Sequence, residues 1–204
     1  IEPIKPNREL EEAIRNLKKF YGIIFTSTNA VDIFFDTLFE NKMDTRSLNS
    51  AYVFAIGEAT AQKLLTKGIV CDFVPQIWTS EGIVEILKTL DVKNKYFLLP
   101  RAEDARDVIV KYINNNNGIC HVIPIYKTVL PKQIEDLKEK PDVITFTSSS
   151  TVKNFMAIYG KASLENTLVA SIGPITTETL RSYGIDVSIE AKRHDISGLI
   201  EAIE

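Results

Sequence analysis

Short apolar runs alternate with amphipathic stretches along the whole chain. Runs at residues 23–26, 53–56, 71–74, 96–99, 120–125, 143–147, 169–172 and 187–189 are nearly continuous in apolar character and predict buried strands. Between them, Leu10/Ala13/Ile14/Leu17, Val31/Phe34/Phe35/Leu38, Ile83/Ile86/Leu87/Leu90 and Val108/Ile109/Tyr112/Ile113 recur at helical spacing. Val152/Phe155/Met156/Tyr159 repeats the second of these stripes. Strands that alternate with helices and lack a polar face predict an α/β fold, its parallel sheets covered on both sides. Residues 114–118 read as a polar turn. The stretches 1–6 and 125–131 are extended and flanked by proline, as linkers are.

The pattern also repeats. Ile23-Ile24-Phe25-Thr26-Ser27-Thr28-Asn29-Ala30-Val31 returns 121 residues later as Ile144-Thr145-Phe146-Thr147-Ser148-Ser149-Ser150-Thr151-Val152. Ala55-Ile56-Gly57-Glu58-Ala59-Thr60 returns 116 residues later as Ser171-Ile172-Gly173-Pro174-Ile175-Thr176. Leu64, Gly68-Ile69 and Gly82 are echoed by Leu180, Gly184-Ile185 and Gly198. Two blocks in one order at nearly one offset indicate a duplicated domain, with a period far too long for a solenoid. Two like domains make a cleft, and domain interfaces are favoured ligand sites. The repeat is lopsided, however. The strand-helix-strand unit at 96–125 precedes the second copy and has no counterpart before the first. A piece of roughly 30 residues is therefore expected ahead of Ile1.

Composition removes several classes of function. A net charge of −3 argues against wholesale nucleic-acid binding, which needs a basic surface to replace phosphate counterions. No apolar run approaches the roughly 20 residues of a membrane helix. Cys71 and Cys120 stand singly in apolar runs without a CxxC, and Cys71 falls opposite Val187 in the repeat. Both read as small buried hydrophobes in a reducing, cytoplasmic setting. No GxGxxG, GxxxxGK[ST] or GxSxG occurs, and His121 and His194 belong to no metal-spaced cluster.

The residues with chemical potential lie where strands give way to helices. Thr26-Ser27-Thr28-Asn29 and Thr147-Ser148-Ser149-Ser150 end a strand and open a helix, as do the blocks holding Thr60 and Thr176. Ligands of open α/β sheets bind outside these strand ends. Free N–H groups and the helix dipole favour anions there. Helix capping accounts for any one of these hydroxyls. Three or four in succession exceed what capping needs. Glu58 stands where the second copy has Pro174, so the two copies are not expected to bind alike.

FTSTNAV, AIGEATAQKLLTKGI, LLPRAEDARDVI, PIYKTVLP, ITFTSSSTVKNF and SIGPITTETLRSYGIDV, in this order, resemble the uroporphyrinogen-III synthase family over essentially the whole chain. The resemblance implies two flavodoxin-like domains joined by a two-stranded linker, with the active site in the cleft. Residues 7–124 would be the continuous domain and 132–204 the C-terminal part of the other, with 1–6 and 125–131 as linkers. The implied reaction closes hydroxymethylbilane to uroporphyrinogen III, with loss of water and inversion of ring D. It needs no metal or organic cofactor. Thr60, Thr176, Ser148 and Tyr126 align with family residues implicated in the cleft, and Tyr126 would protonate or hydrogen-bond the departing hydroxyl. Ser27 and Asn29 are first-copy equivalents of Ser148 and Ser150, and Ser149 joins the substrate-binding set. Arg101 is a candidate carboxylate clamp. The implied partners are the small-molecule substrate and, transiently, the preceding pathway enzyme, around a full-length monomer. The rival reading is a non-catalytic two-domain protein that clamps or senses a small anion.

Overall fold

Residues 1–130 and 140–204 are described in the computed structural model. They form two units, Ile1–Val129 and Leu130–Glu204. Pro131, the last residue of the second linker stretch, and residues 132–139 of the second expected domain lie outside the described residues.

In the first unit the apolar runs become β2 (Gly22–Phe25), β3 (Tyr52–Ala55), β4 (Tyr96–Ala102) and β5 (Ile119–Lys127). They lie parallel in the order β5-β4-β2-β3, and the short β1 (Glu2–Pro3) adds antiparallel to β5. The two stretches read as linkers thus pair with one another, Glu2 opposite Lys127 and Pro3 opposite Tyr126. Side chains alternate across the sheet, as the two-residue period of a strand requires. Ile23, Phe25, Val53, Ala55 and Leu98 join one core, against α1 (Arg8–Arg15), α2 (Thr28–Glu40) and α3 (Glu58–Thr66). Ile24, Phe54, Phe97 and Leu99 join the other, against α4 (Ser80–Leu87) and α5 (Val108–Asn115).

The run at 71–74 does not become a strand. It makes a single bridge, Phe54 to Phe73. The Asp72 carboxylate accepts the Val53 N–H at 2.7 Å, so a side chain takes the donor that a strand neighbour would use. The second copy repeats the device, with Ser188 Oγ accepting from Val169 N at 3.2 Å. There the expected run at 187–189 is displaced to the two-residue β8 (Ile189–Glu190). Counted from β4, and with Phe73 as the last position, the first sheet has the flavodoxin-like order 2-1-3-4-5. The strand order reverses between β4 and β2.

The second unit holds β6 (Val143–Phe146), α6 (Ser149–Tyr159), β7 (Leu168–Ser171), α7 (Pro174–Ser182), β8 and α8 (Ile196–Ile203). Its sheet is parallel in the order β6-β7-β8, so β6 is an edge among the described residues. Phe146, Val152, Val169 and Leu180 form the core on one face, and Ala170, Ala191 and Leu199 on the other. Among the described residues no helix is long and apolar enough to cross a membrane.

Both thiols pack against apolar clusters. Burial pushes Cys71 up to about 11 and Cys120 up to about 12, from an ordinary 9.0. A thiol whose pKa is raised by folding holds its proton more tightly in the folded state. Its stabilising effect is complete below the unfolded value and is lost as pH climbs through the folded one. We expect slow alkylation of the native protein at about pH 8, where the reactive thiolate is scarce. We also expect urea resistance to fall between pH 9.0 and about 11. Rapid native-state alkylation at the lower pH would contradict this.

Candidate functional site

The carboxyl ends of β2, β4 and β5 converge at the point where the strand order reverses, which is where open α/β sheets place their ligands. Ser27 follows β2 and caps α2, accepting the Ala30 N–H at 3.0 Å. Its Oγ also lies 2.9 Å from the Tyr126 hydroxyl. A bulge brings the two together. Arg101 pairs with Pro124 but Ala102 pairs with Tyr126, leaving Ile125 as the extra residue. Ile123, Ile125 and Tyr126 consequently all join the core on the α2 side, although 125 and 126 are consecutive.

Arg101, at the end of β4, is buried and partly committed. Its guanidinium donates to the Arg106 carbonyl at 3.0 Å and to the Asp107 carboxylate at 2.5 Å, while its buried Nε has no partner among the described residues. It is therefore held in place from within rather than swinging free as a surface clamp. A cavity of about 180 Å³ joins Arg101 and Tyr126 to Thr26, Ile56, Ser80 and Arg106. A larger cleft of about 810 Å³ opens elsewhere in this unit, lined by Lys18, Lys19, Lys42 and Arg46 among others. It lies beyond the carboxyl end of α2, about 20 Å along the helix from Ser27 at 1.5 Å per residue. No strand end reaches it.

Thr60 lies in the first turn of α3, only 4% exposed, and its hydroxyl has no hydrogen-bond partner among the described residues. Thr176 in α7 matches it in both respects. Neither hydroxyl is among the fully buried atoms left unpaired, so each keeps enough access for a ligand to accept its proton. Glu58 is engaged along its own helix by Gln62 at 2.7 Å. Asn29 is half-buried in the first turn of α2.

In the second unit Ser148 caps α6 as Ser27 caps α2, accepting from Thr151 N at 3.2 Å with nearly the same extended backbone. The Ser148 hydroxyl also meets Ser150 and Thr151, at 3.0 and 2.8 Å. Ser149 accepts from Thr179 at 2.7 Å, tying α6 to α7. Thus Ser27, Arg101 and Tyr126 are gathered in one unit, and Ser148 and Ser149 in the other.

Sequence reasoning missed a second polar group. Ser171 and Thr177 share a buried hydrogen bond of 2.6 Å, and Thr177 donates on to the Glu190 carboxylate. The first copy has Ala55, Ala61 and Val74 at these positions. A residue-by-residue comparison of the two copies contains that signal. Ser80, Arg106 and Asp107 were also missed, because only the fold brings them to Arg101.

Fold and constellation together define an α/β protein of two parallel-sheet units, with donor groups gathered at the carboxyl ends of the strands. Comparison with known proteins narrows the class. The family model described as uroporphyrinogen-III synthase HemD matches residues 1–201. The chain is 30% identical over 200 residues to the uroporphyrinogen-III synthase of Chlorobaculum parvum, covering 93% of the chain and 81% of that protein. It is also 30% identical over 207 residues to the porphyrin biosynthesis protein HemD of Ruminiclostridium josui, covering 98% of the chain but only 41% of that protein. The crystal structure of uroporphyrinogen-III synthetase from Helicobacter pylori superposes with a TM-score of 0.66 at 24% identity, over 90% of the chain and 82% of that structure. The chain belongs to the uroporphyrinogen-III synthase family.

Proposed function

We propose that this chain carries out the ring closure of hydroxymethylbilane to uroporphyrinogen III, as a carbon–oxygen lyase of tetrapyrrole biosynthesis. The family match over residues 1–201 carries this reading. The chemistry of the strand ends supports it. The substrate bears eight carboxylates, and the chain is mildly acidic, so local donors rather than a basic field must hold it. The unpartnered Thr60 and Thr176 hydroxyls and the free amides of Glu58 and Ala59 in α3 and of Ile175 in α7 are such donors.

Breaking the C–O bond of the hydroxymethyl group releases hydroxide, which leaves as water once protonated, and gives an azafulvene cation. The substituted carbon of ring D attacks that cation to form a spiro intermediate. This fragments and recloses with the ring turned, and a ring proton is then lost. The substrate closes unaided without inversion, so the enzyme's task is to hold the chain ends in the inverting geometry and keep water away. The contact between Ser27 and Tyr126 supports a role for the phenol in the first step. Ser27 Oγ accepts from Ala30 N and can donate its own proton to the Tyr126 oxygen, which leaves the phenol proton free for the departing hydroxyl.

The test is an assay with enzymatically generated hydroxymethylbilane that separates isomers I and III. Isomer III is expected; formation of isomer I alone, at the unaided rate, would favour the anion-binding reading instead. Thr60→Ala and Thr176→Ala should each cost about 1–3 kcal/mol of transition-state stabilisation, the loss of one hydroxyl donor to a charged group. Each variant should remain active and folded. Complete inactivity of a well-folded Thr60→Ala protein would overturn the positioning account.

A further inference from the structure

Trp78 is the only tryptophan of the chain, and it is 54% exposed. It stands in the loop before α4, next to Thr79, which caps that helix. Its indole rests on Gly57, the residue that opens α3. A Cβ at Gly57 would lie 2.7 Å from the indole Cγ and 2.9 Å from Trp78 Cβ. The backbone of Gly57 is extended, with φ −175°, so any residue could adopt it. Glycine is required there to make room for the ring.

The second unit repeats the arrangement with another ring. His194 rests on Gly173, where a Cβ would lie 2.9 Å from Cδ2, and Gly173 opens α7 with an extended backbone. Both ring–glycine pairs stand at the same offset of 116 residues. Each helix so opened carries, in its first turn, a buried threonine whose hydroxyl has no partner among the described residues. Neither ring stacks on another aromatic side chain of the described residues. An exposed indole face beside free amides and an unpartnered hydroxyl fits a ligand with a flat π-system flanked by carboxylates.

We propose that Trp78 is the stacking platform for one pyrrole ring of the substrate, and that His194 plays the same part in the second unit. This rests on the reading of the chain as a uroporphyrinogen-III synthase. The ring lies on the indole while its carboxylate arm reaches the α3 amides and Thr60. Tryptophan is also the strongest aromatic partner for a cation, and so favours the azafulvene cation as it forms. Trp78 is in these terms a specificity-determining residue.

The single tryptophan supplies its own probe. Under anaerobic conditions uroporphyrinogen III does not absorb at the tryptophan emission, so changes in that emission report contact. Titration with uroporphyrinogen III should shift the emission and protect Trp78 from acrylamide quenching. Trp78→Ala should raise KM for hydroxymethylbilane about 10-fold, a typical effect of losing one stacking surface, and raise the share of isomer I. Trp78→Phe should restore most of the KM, and His194→Ala should raise it less than Trp78→Ala does. Thermal midpoints of the variants identify any that act by misfolding. Wild-type protein that makes isomer III, together with an unprotected Trp78 and a Trp78→Ala variant of unchanged KM, would overturn the platform and leave the function standing. Wild-type protein that makes only isomer I would overturn the function itself.

Discussion

Phe25→Ala is expected to destabilise the first unit by about 3–5 kcal/mol, the usual cost of deleting a fully buried aromatic ring. Phe25 is the last residue of β2 and is wholly inaccessible. Its ring meets Phe34 edge-on at 5.2 Å and stacks near Phe35 at 6.3 Å, so its loss leaves a void that two neighbouring rings cannot both collapse into. The site would suffer with the core, because Phe25 immediately precedes the strand end that presents Thr26 and Ser27. Urea unfolding checks this: the midpoint should fall at an unchanged slope. Phe146→Ala removes the equivalent ring of the second unit, which contacts Phe155 at 5.4 Å. It should lower a transition that Phe25→Ala leaves in place. A Phe25→Ala protein with the parental midpoint would show that this cluster is not what holds β2 against α2.

Tyr126→Phe is expected to lower turnover about 10–100-fold, at or below the usual range for loss of a general acid. The ring is almost fully buried, and phenylalanine keeps its packing, so stability should change by no more than about 1 kcal/mol. Ser27 would still cap α2 through Ala30. The two effects are separated by measuring isomer III formation alongside urea unfolding. Ser27→Ala should do less to turnover than Tyr126→Phe and more to stability, since it deletes a helix cap worth typically about 1 kcal/mol. Full activity of Tyr126→Phe would remove the phenol from the mechanism and leave positioning by the helix termini.

Much of the architecture was legible because burial on both faces leaves a direct mark on a sequence. Ile23-Ile24-Phe25 is apolar throughout because alternate residues feed two different cores, and the stripe Val31/Phe34/Phe35/Leu38 marks the helix that covers one of them. The duplication was legible for the same reason, and it correctly matched Ser27 to Ser148 as helix caps. Hydrogen-bond substitution is not visible in such a pattern. The run at 71–74 looks like a strand, but the Asp72 carboxylate takes the Val53 donor and a single bridge remains.

The sequence by itself determined which segments are buried, the two-copy plan and the places where hydroxyls meet helix ends. These follow from local periodicity, which each segment carries whatever its neighbours do. The tertiary structure alone decided which of those residues meet. Tyr126 reaches Ser27 across 99 positions because the extra residue at Ile125 breaks the strand's alternation and turns the phenol to the α2 side. Arg101 finds Asp107 and the Arg106 carbonyl through the turn that follows β4. The indole of Trp78 settles on Gly57 because a hydrogen atom there leaves room that a methyl group would fill. A bulge, a turn and a close approach each depend on the partner's position in space, which no periodicity along the chain encodes.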